Sequence, residues 1–310
     1  MVNFRQISES FETAVENREF SVYFQPQYNH STGALIGAEA LVRWISPEHG
    51  FISPADFVPT LEEMGLIPVL DLYVFDCVCD FLKKCIDSGK ALARISVNMS
   101  RSDILCEDYI DRLDAIRQKY GVPTRLIHVE LTETAAVSGA NVVVSAIKKL
   151  HDLGYTVEMD DFGSGYSSLN ILKDIEFDVL KLDLKFIEGA IGSERGGTIL
   201  GSVVRMAKWL KLPVIAEGVE TVEQADFLKS VGCDYIQGFL YSLNSAIKSA
   251  SPKTLLQISE ILHYTVCQSA TKGVLSKFAC EKDTPCGVFP HPEFFQVITV
   301  VRDGHRSCTA

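Results

Sequence analysis

Asp160 and Asp161 close a strand-like run (TVEMDD, 156–161) and stand before a glycine-rich turn (FGSG, 162–165). Neighbouring aspartates repel when both are ionised, and burying them costs several kcal/mol unless something compensates. A divalent cation is the usual compensation. The late positions of the other apolar runs carry groups that could share it: Glu39, Asn98, Glu130, Lys181 with Asp183, Glu217 and Gln237. Carboxylate and amide oxygens are hard ligands suited to Mg²⁺ or Mn²⁺. No cysteine or histidine stands among them, which disfavours structural zinc. An Asp shared between two cations gives a two-metal site, which activates water and stabilises the leaving oxygen in phosphodiester cleavage. A single such carboxylate is more often a cap or a solvated charge, and Lys181 alone could snorkel to a rim. Agreement between five strands is what argues for a site.

The elements that must position these groups are legible as alternating runs. Strand-like segments lie near 21–28, 35–44, 94–100, 126–133, 156–161, 178–183, 213–218 and 234–239. Helix-like segments fill 53–65, 66–89, 100–121, 138–154, 166–175, 197–211 and 221–232. Strands alternating with helices predict βαβ units, and eight strands predict a closed barrel with its chemistry on the C-terminal rim. The first two strands are joined by NHSTGA, too short for a parallel crossover. The expected fold is therefore α/β, a modified TIM (β/α)8 barrel with an antiparallel first strand. Within a strand Asp160 and Asp161 point to opposite faces. A turn there, eased by Gly163 and Gly165, lets both face the barrel mouth. Gly89, Gly121, Gly154 and Gly232 follow helices and fit C-cap positions.

The chain has 310 residues and a formal charge of −11. That length suits one barrel, and the charge argues against a surface for nucleic acid polymers. No apolar run approaches membrane-spanning length, and MVNFRQISES lacks the apolar core of a signal peptide. Nine scattered cysteines, without paired spacing, read mostly as reduced thiols in a cytoplasmic protein.

Taken together and in order, FQP (24–26), GAEALVRW (37–44), NMS (98–100), ELTE (130–133), DDFGSGYSSL (160–169), LKLD (180–183), AEGVE (216–220) and QGF (237–239) make a specific set. From about residue 4 to about residue 243 the chain resembles the EAL-domain family of cyclic-di-GMP phosphodiesterases. The resemblance implies hydrolysis of cyclic di-GMP to linear pGpG with two Mg²⁺ or Mn²⁺ ions. It implies Glu39, Asn98, Glu130 and Asp160 as ligands of one metal, with Asp160 bridging to a second that Asp161 also holds. It places Glu217 near the metals as a candidate general base, and Lys181 on the attacking water. Gln237 fixes a metal-bound water. Arg43 contacts substrate phosphate or guanine, Gln25 lines the same pocket, and Asp183 joins the substrate-binding set. Glu133 anchors the loop 161–169 with Gly163 and Gly165, and Glu220 gives outer support. A homodimer is implied as well.

Departures from the family pattern are Ser164, Leu184-Lys185, Asn244, and most of all His128 and Glu158. The last two stand two residues before Glu130 and Asp160, so alternation aims both into the barrel and predicts a buried pair. The alternative is a register that lets one reach solvent. No departure removes a ligand. The readings left open are an active phosphodiesterase, a non-catalytic cyclic-di-GMP receptor, and an interaction module. Residues 1–20 read as a lead-in helix, 21–264 as the barrel and 265–310 as an appended segment. The cysteines and histidines near that end show no metal-ligand spacing, and packed or exposed thiols are the better reading.

Overall fold

The structure is a computed structural model and describes residues 4–89, 93–137, 140–163, 168–183, 194–238 and 240. The stretch 265–310, Gly165 and the substitutions at Ser164, Leu184-Lys185 and Asn244 lie outside the described residues.

The chain opens with helix α1 (Phe4–Glu16), then strands β1 (Phe20–Asn29), β2 (Ala34–Ser46) and the short β3 (Gly50–Ile52). Helices α2 (Pro54–Glu63) and α3 (Ile67–Asp87) lead to β4 (Arg94–Asn98). After α4 (Arg101–Leu105) and α5 (Tyr109–Tyr120) come β5 (Ile127–Thr132), α6 (Glu133–Val137), α7 (Ala140–Asp152) and β6 (Thr156–Phe162). The remaining elements are α8 (Ser168–Asp174), β7 (Val179–Leu182), α9 (Glu194–Trp209), β8 (Val214–Ala216), α10 (Val222–Ser230) and β9 (Tyr235–Gln237).

The strands pair in the order β1-β9-β8-β7-β6-β5-β4-β2-β3, and β1 also pairs with β2. That pairing closes an eight-stranded barrel, with β3 as a hairpin extension on β2. β1 runs antiparallel to both β2 and β9, while the neighbours from β2 and β4 round to β9 are parallel. The antiparallel first strand inferred from the short connection is present. All eight strand-like runs form strands. Their buried residues are nearly continuous in β5, β7 and β8, as expected of parallel strands covered on both faces.

The two segments expected over 53–89 form α2 and α3, parted at Gly65, whose φ of 68° a non-glycine residue rarely adopts. Ser53 caps α2 by accepting from the Ala55 N–H. The run 100–121 breaks after Leu105. Ser100 and Asp103 form a capping box at α4, and Thr221 and Gln224 form another at α10.

The main core lies between the barrel and its outer helices. A second apolar cluster joins Ile7, Phe11 and Ala14 of α1 to Phe20, Trp44, Phe57 and Leu61. Its ring centroids lie 5.0 Å apart in the tilted Phe20–Trp44 pair and 5.7 Å apart in the edge-to-face Trp44–Phe57 pair, and the Trp44 indole N–H donates to Glu19 Oε2 at 2.9 Å. This cluster ties α1 and α2 to the rim-side ends of β1 and β2.

Candidate active site

Parallel strands that end together deliver their last inward side chains to one place. Lys181, near the end of β7 and wholly buried, is the centre of that place. Its Nζ lies 2.8 Å from Glu130 Oε2 (β5) and 2.8 Å from Glu217 Oε1, just past β8. It lies 3.2 Å from Asp160 Oδ1 (β6) and 3.3 Å from Glu39 Oε2 (β2). Four strands thus converge on one ammonium. Gln237 of β9 donates from Nε2 to Glu39 Oε2 at 2.5 Å and to Gln25 Oε1 at 3.3 Å. Asn98 of β4 donates from Nδ2 to Glu39 Oε1 at 3.2 Å, which leaves its Oδ1 as the atom for a cation.

Charge sets the protonation of this cluster. Burial disfavours the charged forms throughout. For Lys181 the carboxylates more than reverse it, and the ammonium is held well above the usual lysine range. For Glu39 burial is outweighed by Lys181 and the amides of Gln237 and Asn98, so its carboxyl is lowered. Burial and then Glu39 push Glu130 well up, and burial does the same to Glu217. Burial and the neighbouring Asp160 raise Asp161 to about 6.

Asp161 reaches the mouth by an unexpected route. The strand continues through Phe162, with a bulge between Met159 and Phe162 against β7. Asp161 itself takes the left-handed conformation (φ 57°), followed by Gly163 at φ 96°. The turn expected of the glycines is therefore begun by the aspartate. Asp is among the few side chains that tolerate this region, at about 1 kcal/mol. Oxygens of Asp160, Asp161 and Glu217 all lie within 4.8 Å of one another, close enough to share an ion. Glu130 Oε1 is buried and accepts no hydrogen bond, and Asp160 Oδ1 is met only by the Lys181 ammonium. Acceptor oxygens left without donors are what a hard cation needs, so the residues fit Mg²⁺ or Mn²⁺.

Glu133, buried at the start of α6, accepts from the Gly163 N–H through Oε2 at 3.2 Å. It therefore holds the turn after the aspartates. Asp183 is half-buried just past β7. Glu220 is exposed, and its backbone N–H donates to Gln224 Oε1 at 2.7 Å at the α10 cap. His128 and Glu158 do meet, with Nδ1 and Oε1 2.5 Å apart inside the barrel.

Beside the carboxylates lies a cavity of about 510 Å³, lined in part by Leu41, Arg43, Glu62, Asp71, Asn98 and Arg101. Arg43 also donates to the Val42 carbonyl at 2.9 Å. Glu62 and Asp71, on α2 and α3, and Arg101 were not singled out by sequence reasoning. On amphipathic helices a polar residue facing a cavity and one facing water look alike. Gln27 of β1 was also missed. It is buried and donates to Gln237 Oε1 at 2.9 Å. A glutamine in an apolar strand was the available signal.

The family model described as EAL domain matches residues 8–244. The bifunctional diguanylate cyclase/cyclic di-GMP phosphodiesterase MucR of Pseudomonas aeruginosa is 35% identical over 236 residues, covering 76% of this chain and 34% of the relative. The probable cyclic di-GMP phosphodiesterase PdeB of Escherichia coli is 34% identical over 233 residues, covering 74% of this chain and 43% of the relative. The chain thus spans well under half the length of these relatives. A solved structure described as the PaMucR phosphodiesterase in complex with c-di-GMP superposes with a TM-score of 0.71 at 33% identity, covering 76% of this chain and 95% of that one.

Proposed function

Since the chain belongs to the EAL domain family, we propose that its barrel is a metal-dependent phosphodiesterase that hydrolyses cyclic di-GMP to linear pGpG. The observation that carries this reading is the convergence of Glu39, Glu130, Asp160 and Glu217 on Lys181, beside a cavity walled by Arg43. The relatives' names supply the substrate class.

Glu39, Asn98, Glu130 and Asp160 would hold one Mg²⁺ or Mn²⁺, and Asp160 with Asp161 a second. When bound, two such ions activate water and stabilise the leaving oxygen of a phosphodiester. The protein's own groups do the rest. Lys181, kept protonated by its carboxylate neighbours, orients and polarises the attacking water. Glu217, the most exposed of the four carboxylates around Lys181 with a side chain 18% exposed, takes the proton. Gln237 holds Glu39 in place and extends, with Gln25, toward the substrate. Arg43 offers a planar guanidinium to a phosphate or guanine edge. Asp183 would join the substrate-binding set. Glu133 keeps the Asp160–Asp161 turn in its geometry.

The same reading makes the protein a cytoplasmic homodimer, with residues 1–20 as the lead-in, 21–264 as the catalytic barrel and 265–310 as an appendage. Among the described residues all five cysteines are free thiols, and no helix is long and apolar enough to cross a membrane.

The test is to incubate the protein with cyclic di-GMP and Mg²⁺ or Mn²⁺ and follow pGpG by chromatography, beside Glu39→Ala. Turnover abolished in the variant is the expected result. Tight binding without turnover in the wild type would instead make the chain a receptor.

A further inference from the structure

The His128–Glu158 pair has no part in the reaction just described, yet it is buried inside the barrel. The exposures of the two side chains are 8% and 0%. Burying a carboxylate and an imidazole costs desolvation that apolar residues of similar volume avoid, so the pair is a poor way to fill a core. Its position is informative. On adjacent parallel strands Glu158 is the register partner of Glu130, and His128 stands two residues before Glu130 on the same strand. Alternation therefore sends His128, Glu158, Glu130 and Asp160 to the same interior.

The four oxygens of the two glutamates divide unequally. Glu158 Oε1 is held by His128 Nδ1 at 2.5 Å. Glu130 Oε2 accepts from Lys181 Nζ at 2.8 Å. The two remaining oxygens, Glu158 Oε2 and Glu130 Oε1, are buried without a donor. The two carboxyl groups lie within hydrogen-bonding reach of each other. Glu130 is thus gripped on one side by Lys181 and confined on the other by a carboxylate that His128 keeps from turning.

We infer that Glu158, held by His128, is a positioning residue: it orients Glu130 and adds the negative charge that strengthens the barrel mouth's grip on a divalent cation. The inference rests on the reading of Glu130 as a metal ligand. Outer groups that orient a metal ligand typically raise affinity by about 10–100-fold. The histidine supplies geometry and the glutamate supplies charge, so the two substitutions fail for different reasons.

The test is calorimetric titration of the full chain with Mn²⁺, with thermal unfolding measured in parallel. Glu158→Gln, which is isosteric, is expected to weaken Mn²⁺ binding about 10–100-fold. His128→Leu is expected to do the same, whereas His128→Gln, which still donates to Glu158, stays within about threefold of wild type. Glu158→Gln with wild-type affinity overturns the inference, whatever happens to its melting temperature. So does a His128→Gln that loses as much as His128→Leu. Should His128→Leu not fold, Glu158→Gln decides alone. Asp160→Asn separates the two levels of reading. Wild-type Mn²⁺ binding that survives this substitution, or no Mn²⁺ binding by the wild type, overturns the metal site and the pair together.

Discussion

Two buried acidic clusters in this molecule are built on opposite principles. At the barrel mouth, one ammonium faces four carboxylates, and Glu130 Oε1 has no donor. On the flank, one carboxylate faces several donors. Asp114 of α5 accepts from Arg117 Nε at 2.7 Å, Gln118 Nε2 at 2.6 Å and the Tyr155 hydroxyl at 2.9 Å, while Arg117 also donates to the Val122 carbonyl. Burial raises the Asp114 carboxyl, but these donors outweigh it and hold it below its ordinary range. The flank is closed: every demand is met within the protein, and the result is a tie between α5 and β6. The mouth is open: it holds more acceptor capacity than the fold can satisfy. A buried polar cluster in deficit has been kept for something that arrives from outside.

That contrast predicts which substitutions harm activity and which harm stability. The largest effect is expected for Glu39→Ala. Turnover of cyclic di-GMP should fall by about a thousandfold or more, equivalent to about 4 kcal/mol in the barrier. Its stability to urea should hold or rise, because a cluster rich in like charge loses one member. A large loss of stability would mean that the mouth is a structural cluster after all.

Asp114→Ala should show the reverse. About 3 kcal/mol of stability is lost, because Arg117 and Tyr155 are left without their acceptor. Activity per folded molecule stays near wild type. Equal damage to activity would erase the distinction between the two clusters.

Glu133→Gln tests the border between them, since Glu133 is buried yet serves the turn beside the mouth. Replacing the charged acceptor of the Gly163 N–H should reduce kcat about tenfold, the equivalent of about 1.4 kcal/mol in turn positioning. The melting temperature should move little.

The last effect, on stability alone, concerns Asp103, buried in the α4 capping box. Burial raises its carboxyl to about 6. Its contribution to stability is therefore complete below about pH 4, where the unfolded chain is also protonated, and is lost as pH rises through about 6. Asp103→Asn keeps the cap acceptor but does not titrate. Urea unfolding from pH 4 to pH 7 should show the wild type losing on the order of 2 kcal/mol more than the variant. Parallel curves would dismiss the idea.

Much of this was legible before any coordinates. Glu130, Asp160 and Glu217 stand towards the late end of a run that alternates or is wholly apolar, so their place on the rim follows from strand period and barrel topology, while Glu39 sits midway along β2. The buried meeting of His128 and Glu158 follows from the same alternation on neighbouring strands. Other features were not legible. Nothing local distinguishes Asp161 as the residue that turns left-handed, because the bulge that requires it is a mismatch with β7. The break after Leu105 hides within one amphipathic stretch. Glu62 and Asp71 lie on helices whose facing is decided by what packs against them.

The sequence by itself determined the class of chemistry, the order of strands and the residues at their ends, because residue type and period are local properties. Only the tertiary structure decided that Lys181 lies at the common point of four carboxylates, with Glu39 142 positions away in the chain and Glu130 51. It also decided which oxygens were left without donors, and that His128 leaves one side of Glu158 turned to Glu130. Those facts depend on barrel closure and on the angle at which each strand delivers its last side chain, and no spacing in the chain encodes them.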